Sequence, residues 1–161
     1  MIIKHPIAPV WDKDSKILIL GSFPSVKSRE QMFFYGHPQN RFWRVLSAVF
    51  EDTCPQTIEE KRCFLLKHNI AVWDVVSSCE IEGSADSTMK HVSVNDLSPI
   101  LNGADIRQIY VNGKTAQKFY IKYTQSRIGR EAVVLPSTSP ANASWSLERL
   151  VDAWRVVRQY G

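Results

Sequence analysis

Ser22, Pro24, Ser25, Phe33, Phe34, Tyr35 and Asn40 crowd one loop of this chain, and Pro136-Ser-Thr-Ser-Pro-Ala-Asn-Ala-Ser144 forms a second. Loops rich in serine and proline offer hydroxyls and backbone N–H groups suited to phosphate contacts. Aromatic rings beside them suit stacking on a base. The same rings have a plainer role open to them, as anchors that pack a loop on the core. Asn40 also has two readings. Asn is a favoured N-cap and a helical pattern follows it. An Asn held rigidly at a helix start, beside aromatic rings, equally suits the positioning of a reactant.

The elements around these loops read as follows. Residues 17–20, Ile-Leu-Ile-Leu, form an all-apolar run ended by Gly21, which predicts a strand buried on both faces. Residues 21–40 predict a long loop, of the length more often functional than structural. Phe42, Val45, Leu46, Val49 and Phe50 share one helical face. Thr57-Ile-Glu-Glu60 is a capping-box pattern and predicts a helix to about residue 68, with Ile58, Leu65 and Leu66 inward. Strands are expected at 70–76, 106–111 and 132–135. Helices are expected at 97–101, 114–123 and 145–160. Residues 1–16, with Pro6 and Pro9, read as an irregular lead-in, and 82–95 as a polar loop.

Strands alternating with helices predict an α/β fold with a parallel sheet, in which ligands bind beyond the carboxyl ends of the strands. The four exits are Gly21-Ser-Phe-Pro24, residues 74–78, Asn112-Gly-Lys114 and Pro136-Ser-Thr-Ser-Pro140. All are small, polar or rich in Pro and Gly. The length of 161 residues suits one domain spanning the chain.

Several chemistries lose support. No G-x-G-x-x-G follows the first strand, no P-loop motif is present and no G-x-S-x-G elbow occurs. Four histidines are scattered without ligand spacing, so neither a metal nor a cofactor is expected. Three cysteines without a C-x-x-C pattern suggest reduced thiols. A 44% hydrophobic and 22% charged composition is that of an ordinary globular protein. No run reaches transmembrane length and no signal peptide opens the sequence, so a cytoplasmic monomer is expected. A net charge of +4 permits a polyanionic partner and equally describes a mildly basic surface.

Gly21-Ser-Phe-Pro-Ser25, Tyr35-Gly-His-Pro-Gln-Asn-Arg-Phe-Trp43 and Leu135-Pro-Ser-Thr-Ser-Pro-Ala-Asn-Ala143 resemble motifs of the uracil-DNA glycosylase superfamily. Within it, the hypoxanthine-DNA (deoxyinosine) glycosylase branch is the best match. The resemblance spans nearly the whole chain. It implies a three-layer α/β/α sandwich around a four-stranded parallel sheet, and DNA containing a deaminated base as partner. It also implies hydrolysis of the N-glycosidic bond of a base flipped out of the duplex.

In that branch the Asn of the Gly-His-Pro-x-Asn run is regarded as catalytic, which falls on Asn40. Many superfamily members place Asp or Asn in the first loop to handle water, where this chain has Phe23. A wedge commonly follows Pro-Ser in the second loop, and here Thr138, Ser139 and Pro140 stand there. Iron–sulfur branches need four cysteines, so no cluster is implied.

A glycosylase reading gives the remaining residues roles. The Asn40 carbonyl would orient a water near the anomeric carbon. Backbone N–H groups at Ser22 and Phe23 would stabilise charge on the leaving base. Phe23 or Tyr35 would stack on that base, and Asp74 and Ser77 would complement its polar edge. Pro24, Ser25, Lys114, Pro136, Ser137, Thr138, Ser139 and Pro140 would contact DNA, with Arg41 a further candidate for phosphate. The alternatives are a uracil- or mismatch-specific glycosylase, a non-catalytic DNA-binding module, and an enzyme acting on a free nucleoside or nucleotide.

Overall fold

The computed structural model describes residues 1–159. Strand β2 (Ile17–Gly21) runs through its centre with every residue buried. Ile17 and Ile19 join Phe42, Leu46, Leu65 and Trp154 in one core. Leu18 and Leu20 point the other way, to Ile100, Val111, Ala116 and Tyr120. A strand that is apolar at every position needs cover on both faces, and helices supply it.

β2 pairs in parallel with β3 (Ile70–Asp74) on one side and with β6 (Gln108–Asn112) on the other. β7 (Val133–Leu135) adds to β6, giving the order β3-β2-β6-β7. The direction of winding reverses between β2 and β6, so a crevice opens where their carboxyl ends diverge. On the first face α2 (Phe42–Phe50) packs against α7 (Leu147–Trp154), with Phe64 and Leu65 of α3 (Ile58–Lys67) beside them. On the second face lie α4 (Ser98–Gly103) and α5 (Lys114–Phe119). The α/β/α layering around a four-stranded parallel sheet is thus present.

The Thr57 capping box forms as expected, with Glu60 N–H on the Thr57 hydroxyl and the Glu60 carboxylate on the Thr57 N–H. Elsewhere the structure departs from the sequence reading. The irregular lead-in holds β1 (Ile3–Lys4). It pairs antiparallel with β4 (Val76–Glu80), which in turn pairs with β5 (Lys90–Val94) from the supposed polar loop. These strands are short, half-exposed and bulged, so their side chains carry almost no period-2 signal. The second strand ends at Asp74: the Val75 N–H makes the last ladder bond, to the Gly21 carbonyl, and the Val76 N–H bonds the Ser22 carbonyl where β4 begins.

The long first loop contains α1 (Val26–Gln31), capped by the Ser25 hydroxyl. Helix α5 continues beyond residue 123 through a π turn (Tyr120–Thr124) into α6 (Gln125–Ile128). Ile58 is 39% exposed instead of inward, while Phe64 takes its place. The last helix starts at Leu147 and tightens into a 3-10 turn over Arg155–Gln159, and its expected end at residue 160 lies outside the described residues. Among the described residues no helix is long and apolar enough to cross a membrane.

One ion cluster ties α2 to α3. Asp52 accepts from Lys67 and His68, each at 2.9 Å. Those two bonds, Lys67 first, and the Thr53 N–H hold its carboxyl well below the usual range. A depressed carboxylate pKa stabilises the fold above the unfolded value of about 3.9, and that contribution is lost as pH falls through the folded value. Asp52→Asn should therefore lower Tm near pH 6 by a few degrees or less, and the difference should shrink progressively as pH falls below about 3.9. Thermal melts across pH would show it; parallel curves for the two proteins would contradict it.

Candidate active site

The crevice between β2 and β6 holds a cavity of about 260 Å³. Ordinary small-molecule pockets start near roughly 300 Å³, so this space suits one base better than a dinucleotide. Its lining includes Gly21 to Ser25, Tyr35, Asn40, Asp74, Asp86, Asn112 and Ser137 to Ala141. Each comes from a strand exit, from a loop sewn to one, or from the β4–β5 hairpin.

Asn40 sits one residue before Arg41, the cap position of α2. Its Oδ1 accepts from the Phe42 N–H at 3.0 Å and from the Thr138 hydroxyl at 2.9 Å. Thr138 is fully buried and itself bound by Asn112. Asn112 Nδ2 donates to Thr138 Oγ1 at 3.0 Å, and Asn112 Oδ1 accepts from the Thr138 N–H at 3.1 Å. This chain of bonds locks the second loop to the β6 exit and to the start of α2. It also decides which end of the Asn40 amide is free. Two donors already occupy the carbonyl, so the cavity receives the Nδ2 hydrogens. A carbonyl free to orient a water is not what this geometry offers: Asn40 turns its donor end to the cavity while its oxygen bonds the first N–H of α2.

Gly113 makes the lock possible. At φ +96° it turns the chain out of β6, and a Cβ there would stand 3.0 Å from that of Ser137. Gly21 is constrained from the other side, since a Cβ would lie 2.4 Å from Asp74 Oδ1.

Asp74 ends β3 under this turn, 3% exposed. Its Oδ2 lies 2.7 Å from His5 Nε2. His5 Nδ1 accepts from the Ile7 N–H, so that nitrogen carries no proton and Nε2 must be the donor. The imidazole is then neutral, and the pair is a charge-assisted hydrogen bond between a neutral ring and a carboxylate. His5 was hidden in the lead-in. Only the pairing of β1 with β4 carries it to Asp74, and no local pattern announces that.

Tyr35 stacks on Phe42 at 3.8 Å between ring centroids, 14° from parallel. Its backbone has φ +53°, a conformation that residues other than glycine seldom adopt and that clusters at functional sites. Burial pushes its hydroxyl far above the ordinary range, and the Asp74 charge adds to the rise. The neighbouring Asn112 amide opposes that rise, although it does not reach the hydroxyl in full hydrogen-bonding geometry. Phe23 receives the His5 ring edge-on, and the Arg29 guanidinium lies 5.6 Å from its centroid. Phe33 and Phe34 are buried in the first core, which is the anchoring role.

The other predicted residues divide. Ser22, Pro24, Ser25, Ser137, Ser139 and Pro140 line the cavity. Ser77 does not: it lies on β4, and its carbonyl accepts from the His5 N–H. Pro136 offers its carbonyl to the Trp154 indole and is likewise outside the lining. Thr138 lines the cavity wall from a fully buried position and cannot reach DNA. Arg41 binds the Trp145 and Asn142 carbonyls, which makes it a clamp on the second loop and not a free phosphate ligand. Lys114 is exposed at the start of α5, outside the lining. Asp86 and Asn112 join the lining without a sequence motif to mark them as site residues. Asn112 stood at a recognised strand exit and was findable there; Asp86 lay in an apparently featureless polar stretch. Among the described residues no three His, Cys, Asp or Glu side chains are grouped to hold a metal ion.

The model of the Uracil DNA glycosylase superfamily matches residues 8–158. The chain belongs to the uracil DNA glycosylase superfamily. Among relatives of this superfamily member is a protein of Methanosarcina acetivorans named hypoxanthine DNA glycosylase. It is 36% identical over 158 residues, covering 97% of this chain and 98% of the relative. A protein of the same name from Methanosarcina barkeri is 32% identical, covering 94% and 95%. A solution NMR structure of a candidate uracil DNA glycosylase from M. acetivorans superposes with a TM-score of 0.83 at 34% identity, covering 99% and 98%.

Proposed function

We propose that this glycosylase-superfamily protein is a monofunctional DNA glycosylase that removes hypoxanthine from DNA by hydrolysing its N-glycosidic bond. The observation that carries the reading is the Asn40–Thr138–Asn112 lock. It holds an amide donor rigidly at the edge of a base-sized cavity, on the residue to which the hypoxanthine branch assigns catalysis. The relatives named hypoxanthine DNA glycosylase support the choice of base.

In this reading DNA must first release the base from the stack, which costs a few kcal/mol and least for a mispaired base. As the bond to the sugar breaks, the sugar gains cationic character and the base gains electrons. A donor already fixed where charge develops stabilises that state without reorganising. The Asn40 amide meets this requirement because Phe42 and Thr138 hold its other end. A neutral amide is a poor base, so general-base catalysis is not assigned to it. Tyr35 offers one ring face, the other being covered by Phe42. All these groups come from one chain, so a monomer suffices, acting in the cytoplasm without a metal or cofactor.

A panel of duplexes, each with one deaminated base, scored for alkali-induced strand breakage, tests the reading. Breakage at hypoxanthine with weaker or no breakage at uracil and xanthine is expected. Preferential breakage at uracil would move the assignment to the uracil-specific alternative, and none at any base would favour a binding module. Release from free deoxyinosine at a rate equal to that from DNA would favour a nucleoside enzyme.

Salt dependence checks the DNA contact. Log affinity should fall linearly with log salt as counterions are released, and Lys114→Ala should reduce the slope by about 1. An unchanged slope would remove Lys114 from the DNA surface.

A further inference from the structure

The β4–β5 hairpin reaches over the cavity and is pinned to the first loop at several points. The Val26 N–H donates to Ser84 Oγ at 2.9 Å, and Arg29 Nη2 donates to the Gly83 carbonyl at 2.7 Å. The Ser22 hydroxyl donates to Asp86 Oδ2 at 3.0 Å. Asp86 is thereby delivered to the cavity wall, half-buried, on an element remote from the sheet exits.

Among the other polar groups of the wall the Tyr35 hydroxyl is unpaired, and the rest are largely committed. Asn112 spends Oδ1 and one Nδ2 hydrogen on Thr138. The Asn40 carbonyl is filled by two donors. Asp74 is bonded to His5 and packed beneath Gly21. Ser137 Oγ accepts from the Ser139 N–H. Asp86 Oδ1 has no protein partner among the described residues. Burial is the main influence raising the Asp86 pKa, opposed by Ser22 and reinforced by Asp74. A half-buried carboxylate with one oxygen unpaired gains from an N–H donor supplied by a ligand.

We propose that Asp86, held by Ser22, is the specificity-determining residue that accepts the ring N–H of a lactam-type base in the cavity. The proposal rests on the glycosylase reading above and deepens it. Hypoxanthine carries a hydrogen at N1 beside the O6 acceptor. Adenine has a lone pair at N1, which would face the carboxylate across a repulsive contact. Asp86 therefore distinguishes the deaminated purine from its parent by the one ring position whose polarity deamination inverts. Discrimination of this kind is large, because a mismatched base leaves a buried polar group unpaired.

The test compares binding of cleavage-resistant, 2′-fluorinated duplexes. One carries hypoxanthine and the other unsubstituted purine, which keeps the ring shape but lacks both N1–H and O6. The native protein should bind the hypoxanthine duplex at least tenfold more tightly. Asp86→Leu, similar in size and without an acceptor, should lose most of that preference, and Ser22→Ala should lose part of it. Asp86→Ala serves if the leucine variant does not fold by its melting curve. An unchanged preference in a folded Asp86 variant, or no preference in the native protein, would overturn the assignment. Release of hypoxanthine from a cleavable duplex by the native protein is scored in parallel. If release occurs and the preference is unchanged, only Asp86 is misassigned. If no release occurs, the glycosylase reading has failed and this assignment falls with it.

Discussion

Asn40→Asp should fold normally and lose base release by about a hundredfold or more. Aspartate keeps the one oxygen that accepts from both the Phe42 N–H and the Thr138 hydroxyl, so both side-chain bonds that Asn40 makes inside the protein survive. What disappears is the Nδ2 donor facing the cavity, with a negative charge put close to the departing base. Loss of one donor to a developing oxyanion costs about 2.7–4 kcal/mol, or two to three orders of magnitude in rate. Asn40→Ala gives a complementary result. It removes the donor and both internal bonds, so stability should also fall by about 0.5–2 kcal/mol, the ordinary cost of a lost cap. Single-turnover release of hypoxanthine, measured beside a melting curve, separates the roles. Near-native turnover in Asn40→Asp would show that the residue only organises the helix start and the second loop.

His5→Ala should cause the largest loss of stability among changes near the cavity. It leaves the 3%-exposed Asp74 carboxylate without its donor and removes a ring packed against Phe23 and Trp73. An unpaired buried charge costs more than the usual 1–3 kcal/mol of a buried polar group. With the lost packing, a total of about 3–5 kcal/mol is expected. At roughly 2–4 °C per kcal/mol for a domain of this size, Tm should drop by about 10 °C. The double variant His5→Ala with Asp74→Asn should be more stable than His5→Ala alone, because the stranded charge is gone. Strictly additive losses in that cycle would show that the two side chains are not coupled and that the loss is packing alone. Denaturant melts of the four proteins decide it.

Much of the layout was legible without coordinates. The all-apolar run at 17–20 can only be a strand covered on both faces, and the amphipathic face of Phe42–Phe50 can only pack on one. The Thr57 capping box fixes a helix start by bonds among near neighbours. Such signals are local, and local signals survive in a one-dimensional reading. The loops after β2 and β7 also stood out, because their Ser, Pro and Gly content has no place inside regular elements.

What tertiary structure decided was the partner of each polar group. Asn40 and Thr138 are 98 positions apart, His5 and Asp74 are 69 apart, and Ser22 and Asp86 are 64 apart. Hydrogen bonds between such residues leave no periodicity or composition signal. They depend on the sheet order, on the pairing of a two-residue strand at the start of the chain, and on a hairpin whose bulged strands look like loop. The polarity of Asn40 shows the difference most clearly. Its residue type was visible from the beginning, but an amide has both a donor end and an acceptor end. Only the donors of Phe42 and Thr138, converging on its oxygen, decide which end faces the cavity.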